Sequence, residues 1–516
     1  MIVLPHLLSF LFIISPTHAL SPHSTALLTN PTTISRAVTS STTSESSCVM
    51  PAARPPIPLR KFTSPAVESY ITNFTSRLRD PNLATLFANT MPNTLDTTVF
   101  HSDGGSDSFI VTGDITAMWL RDSTNQVWPY LSLAKNDVAL RDLFRGLINR
   151  QAKSVLIDPY ANAFNFDASQ QGPHADDTTT VNKYAGFGPA SNTQTVSAMT
   201  NSIFERKYEA DSLSNVLRLG GAYWLATGDL VPFTSGGPWV SAAALAIATL
   251  DAQRAGSAEE DAMVGGPPYL FQRTTGEPSD TLEHSRGALA RRTGLIKSAF
   301  RGSDDATILP FSIPENIFAS AALRLAAPLL DAVGESTTAS AARSLADSVD
   351  TAITTYGTYM HPVTGERIYA YELDGFGNYW FQDDANIPSL LALPIFATTI
   401  GREDSLYAAT RRAVLSDINP YYFCGSVACG VGGQHNGAPW IWPMALAAQS
   451  LTSDNATEIA SLLTVLIESS ACTGLIHESF HSDDFGTYTR PWFAWMNSLF
   501  AEVIIDIANR FPALIF

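Results

Sequence analysis

From Lys61 onward, apolar residues return every three or four positions in long blocks, the spacing of helices that bury one face. The blocks predict helices over residues 67–86, 138–157, 212–226, 241–255, 316–333 and 339–356, then over 387–399, 405–415, 439–451, 458–468 and 491–509. Strand-like runs are short and scattered, as at 108–112 and 367–371, so no alternating strand–helix series can be drawn. A dozen or so helices with Gly-rich and aromatic-rich loops between them predict an all-α chain. Its helical hairpins would close into an α/α toroid whose loops at one end share a cleft. No repeat of fixed period is visible, which leaves an open solenoid as the alternative.

The 516 residues are 45% hydrophobic and only 15% charged, which supplies a large core and excludes a disordered chain. A net charge of −17 repels polyphosphate, so nucleic acid is not an expected partner. Among nine Trp and sixteen Tyr most should be core, but flat aromatic faces in loops suit the apolar faces of sugar rings.

Residues 3–14 form a short apolar run followed by Thr17-His18-Ala19, so residues 1–19 read as a secretory signal peptide, although no Lys or Arg precedes the run. A transmembrane helix needs about 20 residues, and no segment qualifies, so no membrane insertion is expected. Residues 20–60, crowded with Ser, Thr and Pro, read as a flexible leader, leaving 61–516 as the folded domain of a secreted or cell-wall protein. The sequons Asn73-Phe74-Thr75 and Asn455-Ala456-Thr457 agree with export. Of the four cysteines, Cys424 and Cys429 lie close together, each followed by Gly, which suggests a local loop disulfide; Cys48 and Cys472 are left unassigned. No CxxC pair or HExxH helix points to zinc.

Candidate chemistry concentrates in the loops. The segment 109–130 contains Trp119, Arg121 and Asp122, and a guanidinium beside a carboxylate can grip the vicinal hydroxyls of a pyranose, or else cap the next helix. In Ser303-Asp304-Asp305-Ala306, adjacent carboxylates cannot both ionise comfortably if desolvated, which suits a general acid; an exposed acidic helix entry is the plainer reading. Pro314 should open the next helix, beside Glu315 and Asn316. Glu478, set among apolar residues, suits a base acting on water, whereas His477, His481, Asp483 and Asp484 offer an alternative calcium site. The loops 375–384 and 432–440, the second carrying Gln434 and His435, add the amides and aromatics of a sugar pocket.

Together, Met118-Trp119-Leu120-Arg121-Asp122-Ser123, Ser303-Asp304-Asp305-Ala306, Gln434-His435-Asn436-Gly437, His477-Glu478-Ser479-Phe480 and Arg490-Pro491-Trp492-Phe493-Ala494-Trp495 resemble glycoside hydrolase family 125, over residues 61–510. The resemblance implies an (α/α)6 barrel, an exo-acting α-1,6-mannosidase without catalytic metal or other cofactor, and inversion at the anomeric carbon. It implies a general acid at Asp304 or Asp305 and a general base at Glu478. Trp119, Arg121, Asp122, Asn316, Gln434, His435 and Arg490 would then bind the substrate, an α-mannoside of an N-glycan or of cell-wall mannan, in a monomer. The family more usually has a small polar residue where this chain has Glu315, and an acidic one where it has Pro491. Two rival readings remain: a calcium-dependent α-mannosidase on a related barrel, and a glycan-binding protein without turnover.

Overall fold

The computed structural model describes residues 48–169, 171–180, 199–263, 266–397 and 399–516. The expected signal peptide and most of the leader lie outside them. Among the described residues, no helix is long and apolar enough to cross a membrane.

Helices fall into two classes by burial. Leu120–Gln126 is buried along its whole length, and Ala210–Thr227, Ile313–Ala332, Pro443–Leu451 and Ala494–Arg510 bury most of theirs. These pack side by side, Leu120–Gln126 against Ala210–Thr227 and Ala494–Arg510, and Ala210–Thr227 against Ile313–Ala332. The short helix Leu393–Phe396 joins the ring beside Ile313–Ala332, and Pro443–Leu451 closes it against Ala494–Arg510. Outside run Pro81–Thr90, Val138–Ile157, Pro238–Ala252, Ser336–Tyr356, Ser405–Val414 and Ala456–Glu468. They are one-faced: Ser336–Tyr356 buries Ala339, Ala342, Leu345, Ala346, Val349, Ala352 and Ile353, a stripe at helical spacing. The result is an (α/α)6 barrel whose last helix, Ala494–Arg510, meets Pro81–Thr90 near the start of the chain.

Close packing of the rings depends on Gly220 and Gly221. A Cβ at the first would lie 2.5 Å from the Trp239 ring of the outer helix, and at the second 2.6 Å from the Leu325 carbonyl of the neighbouring inner helix.

Three-stranded antiparallel sheets lead into three inner helices. Met118–Trp119 pairs with Ala163–Phe164, which pairs with Ile203–Glu205; Phe311–Ser312 is paired by Glu372–Leu373; Trp440–Ile441 is paired by Ser479–His481. These ladders lock distant loops together just where the inner helices begin.

Several boundaries differ from the sequence pattern, each for a local reason. The block 67–86 is two helices, because the Asp80 carboxylate caps Asn82 N and Pro81 opens a new helix after Pro65–Thr75. Among the described residues of 387–399 only Leu393–Phe396 is helical: the Asp383 carboxylate takes the backbone N–H groups of Leu390 and Leu391 instead. The blocks at 439 and 491 begin with non-helical residues, and their helices start at Pro443 and Ala494. The leader does not run to residue 60. From Cys48 the chain lies on the barrel, held by a Cys48–Cys472 disulfide, by buried Met50 and by Arg54, whose Nε reaches Asp96 Oδ2 at 2.8 Å and Nη1 reaches Glu68 Oε2 at 3.0 Å. The local Cys424–Cys429 bridge is present. Asn73 and Asn455 are both exposed.

Candidate active site

The N-terminal ends of the inner helices gather at one mouth of the barrel. Trp119, Glu209, Ser312, Trp442 and Phe493 are the residues directly before five of them. A cavity of about 190 Å³ opens there, lined by Trp119, Arg121, Asp122, Asp304, His435, Glu478 and Arg490, with Trp442, Phe493 and Trp495 as aromatic walls and Asn386 at one side.

Arg121, only 3% exposed, is the electrostatic centre. Its guanidinium meets Glu209 Oε2 at 2.6 Å, Asp304 Oδ1 at 2.9 Å, Asp122 Oδ2 at 3.4 Å and Asp211 Oδ2 at 3.7 Å. Burial pushes Asp122 and Asp211 up to about 6, even though Arg121 pulls both down. Arg121 stays protonated far above neutrality: burial opposes its charge, but Glu209, Asp304, Asp211 and Asp122 outweigh it.

Asp304 sits on a loop pinned by Arg301, which gives Nε to Glu372 Oε1 at 2.6 Å and Nη1 to Gln434 Oε1 at 2.7 Å. Its φ of 65° lies in the left-handed region, a costly conformation held by the surrounding anchors. Oδ1 accepts from Arg121 Nη2 at 2.9 Å, Trp119 Nε1 at 3.2 Å and Asn162 Nδ2 at 3.3 Å. Lys207 Nζ donates to the Asp304 carbonyl at 2.7 Å. Burial alone would raise this carboxyl; Arg121, a hydrogen bond with Glu209, and Lys207 hold it below the usual range.

Glu478 precedes strand Ser479–His481. Its Oε2 accepts from Thr489 Oγ1 at 3.2 Å and its Oε1 from Arg490 Nη1 at 3.1 Å. Arg490 also holds Asp114 through Nε at 2.9 Å and stacks over Phe493, its guanidinium carbon 4.8 Å from the ring centre. The His435 ring stands 3.8 Å from Asp305 Oδ2; burial lowers its basicity, but Asp305, Glu478 and Asp304 together raise it.

Seven of the ten residues singled out from sequence, Trp119, Arg121, Asp122, Asp304, His435, Glu478 and Arg490, therefore line one cavity. Three do not. Asn316, expected to bind substrate, is spent on backbone: Oδ1 accepts from Ile296 N at 2.7 Å while Nδ2 donates to Ile296 O and Ser312 O. Gln434 braces Arg301 rather than facing the cavity. Asp305 lies behind the wall, 3% exposed, with Oδ2 turned towards His435, so of the two aspartates only Asp304 lines the cavity with Glu478.

The alternative calcium ligands also disperse. His477 is buried, stacked on Tyr488 with ring centres 3.5 Å apart, and its nitrogens face the carbonyls of Arg490 and Ser470. Asp483 accepts from Ser426 N, and Asp484 accepts from Gly486 N and Thr487 Oγ1. Among the described residues no group of three or more His, Cys, Asp or Glu side chains is arranged to hold a metal ion.

Sequence reasoning missed Asn162, Lys207, Glu209 and Asp211. Asn162 carries no signal in isolation. Glu205-Arg206-Lys207-Tyr208-Glu209-Ala210-Asp211 is a dense charged run at the entry of an apolar helix, and that conflict was the available sign.

The family model described as metal-independent alpha-mannosidase, GH125, matches residues 80–505. The meiotically up-regulated gene 157 protein of Schizosaccharomyces pombe is 41% identical over 478 residues, covering 90% of each chain. A solved Streptococcus pneumoniae metal-independent alpha mannosidase, in non-productive substrate complex with alpha-1,6-mannobiose, superposes with a TM-score of 0.78 at 36% identity, covering 87% of this chain and 99% of that one. The chain belongs to glycoside hydrolase family 125, the metal-independent α-mannosidases.

Proposed function

We propose that the protein is an exported exo-α-1,6-mannosidase that removes single non-reducing terminal mannose residues with inversion, from N-glycans or cell-wall mannan, as a monomer. The observation that supports this reading is that Asp304 and Glu478 both line one small cavity walled by aromatics. The cavity suits one sugar ring, which favours exo action. Arg121 and Asp122 are placed to grip hydroxyls of that terminal sugar. Asp304 delivers a proton to the glycosidic oxygen as the C1–O bond breaks. Glu478, oriented by Thr489 and Arg490, takes a proton from the water whose oxygen attacks C1 from the opposite face. Inversion needs the two carboxyls roughly 6.5–9.5 Å apart, so that this water fits. The linkage preference follows the mannobiose bound by the Streptococcus pneumoniae enzyme.

The test is a panel of α-1,2-, α-1,3- and α-1,6-mannobiose with the product anomer followed by NMR. Cleavage confined to the α-1,6 linkage with β-mannose formed first is expected; α-mannose formed first would overturn inversion. Glu478→Ala and Asp304→Asn should each lower turnover at least ~100-fold, while Asp305→Asn keeps most activity. Binding without release of mannose by the unmutated protein would identify a lectin instead.

A further inference from the structure

A general acid must hold a proton near neutral pH, yet Asp304 lies against Arg121 and Lys207, which favour its ionised form. The proton has to be kept nearby. Glu209 is the carboxyl placed to keep it. It is 1% exposed, it does not line the cavity, and it shares two of the three side-chain donors to Asp304 Oδ1, Arg121 and Asn162. Arg121 bridges the two, with Nη1 on Glu209 Oε2 at 2.6 Å and Nη2 on Asp304 Oδ1 at 2.9 Å. Asn162 Nδ2 bridges them again, 3.0 Å from Glu209 Oε1 and 3.3 Å from Asp304 Oδ1.

We propose that Glu209 is the proton-storing and positioning partner of Asp304, so that the pair, rather than Asp304 alone, serves as the acid of the reaction. This rests on the assignment of Asp304 as general acid. Within the pair one proton is held between the two carboxyls, which the shared donors Arg121 and Asn162 keep side by side. The pair's single proton passes from Glu209 to Asp304, and as the glycosidic C1–O bond breaks, its electron pair stays on the departing oxygen, which takes that same proton from Asp304. Arg121 then faces two carboxylates, and the pair regains a proton from solvent through Asp304, whose side chain is 23% exposed where Glu209's is sealed.

The other charged groups around the pair are Asp122 from the helix that carries Arg121, Glu205 and Lys207 from the strand and turn before Ala210, Asp211 from the first turn after it, and His435 across the cavity. Burial, set against Arg121 and reinforced by Asp304 and Asp211, keeps Glu209 well above an ordinary glutamate.

The test compares α-1,6-mannobiose with 2,4-dinitrophenyl α-mannoside, whose leaving group departs without protonation. Glu209→Gln should lower kcat on mannobiose at least ~10-fold and move the alkaline limb of its pH profile downward by about one unit, yet change the aryl mannoside rate less than ~3-fold. Ser212→Ala removes a hydroxyl donor 3.0 Å from Glu209 Oε2 and should move the same limb upward, by a few tenths of a unit on the order of one weak hydrogen bond. That variant carries the test if the glutamine variant does not fold. Equal losses on both substrates, or limbs that stay put, would show Glu209 to be merely structural. If Asp304→Asn itself spares mannobiose, the parent assignment fails; if it shows the leaving-group dependence and Glu209→Gln does not, only the pairing fails.

Discussion

Replacing Arg121 by Met is the sharpest test of how this mouth is held together. The guanidinium stands among Glu209, Asp304, Asp122 and Asp211, and all but Asp304 are almost fully buried. Removing one partner of a buried ion pair costs about 3–5 kcal/mol. Unfolding entropy near 2.1 cal/mol/K per residue gives roughly 1 kcal/mol per degree over a domain of about 460 residues, so Tm should fall by about 3–5 °C near pH 7. The size of the effect should also depend on pH. Asp122 and Asp211, pushed up to about 6 in the folded protein, have values near 3.9 when unfolded. Their stabilising contribution is complete in acid and is lost as pH rises through the folded values. Without Arg121 those folded values climb further, so the loss continues to higher pH. Calorimetry at about pH 5 and pH 8 should therefore find the variant closer to wild type in acid. A gap of equal size at both would refute the claim that Arg121 acts by neutralising these carboxyls.

Glu315 gives a second prediction from a raised carboxyl. It is 1% exposed, neither carboxyl oxygen finds a hydrogen bond, and burial followed by Asp211 holds it well above its usual range. Because a raised carboxyl costs stability only above its unfolded value of about 4.3, Glu315→Met should raise Tm by a degree or more at neutral pH and by almost nothing near pH 4; a lower Tm at neutral pH would contradict it. The disulfides give a third. Cys48–Cys472 closes a separation of 424 residues and Cys424–Cys429 only 5, so Cys48→Ser should cost about 2–5 kcal/mol and Cys424→Ser clearly less. Urea midpoints measure both, and the reverse ranking would refute the loop-length argument.

The barrel was legible because its outer helices are amphipathic over many turns: Val138–Ile157 was predicted to the residue. Boundaries went astray where one side chain outbids the helix, as Asp80 does before Pro81 and Asp383 at Leu390 and Leu391. Tertiary bonding of that kind leaves no period in the sequence. Within the site, chemically dense motifs such as Trp119-Leu120-Arg121-Asp122 announced themselves. Asn316 and Gln434 belong to such motifs yet hold backbone and Arg301, since a motif marks a neighbourhood and not the direction of each side chain. Asn162 was invisible for the opposite reason, and Glu209 showed only as one member of a charged run. Their importance comes only from the sheet that sets Ala163 against both Trp119 and Glu205.

The starts of the inner helices explain why so many carboxyls collect here without breaking the fold. Glu209 precedes the first turn of one inner helix, Asp211 lies in that turn, Asp122 lies in the first turn of another, and Glu315 in the first turn of a third. Helix N-termini present unpaired N–H groups and a partial positive charge, each worth up to about 2 kcal/mol to a partly buried anion. Arg121 adds a full charge at the point where two of these ends meet Asp304. Helix ends alone do not suffice, since Asp122 and Asp211 are still pushed up and Glu315, with no hydrogen bond, further still. A barrel that points five of its inner N-termini at one mouth can therefore hold several acids within reach of a single proton, and this is the condition that a buried acid with a reserve carboxyl requires.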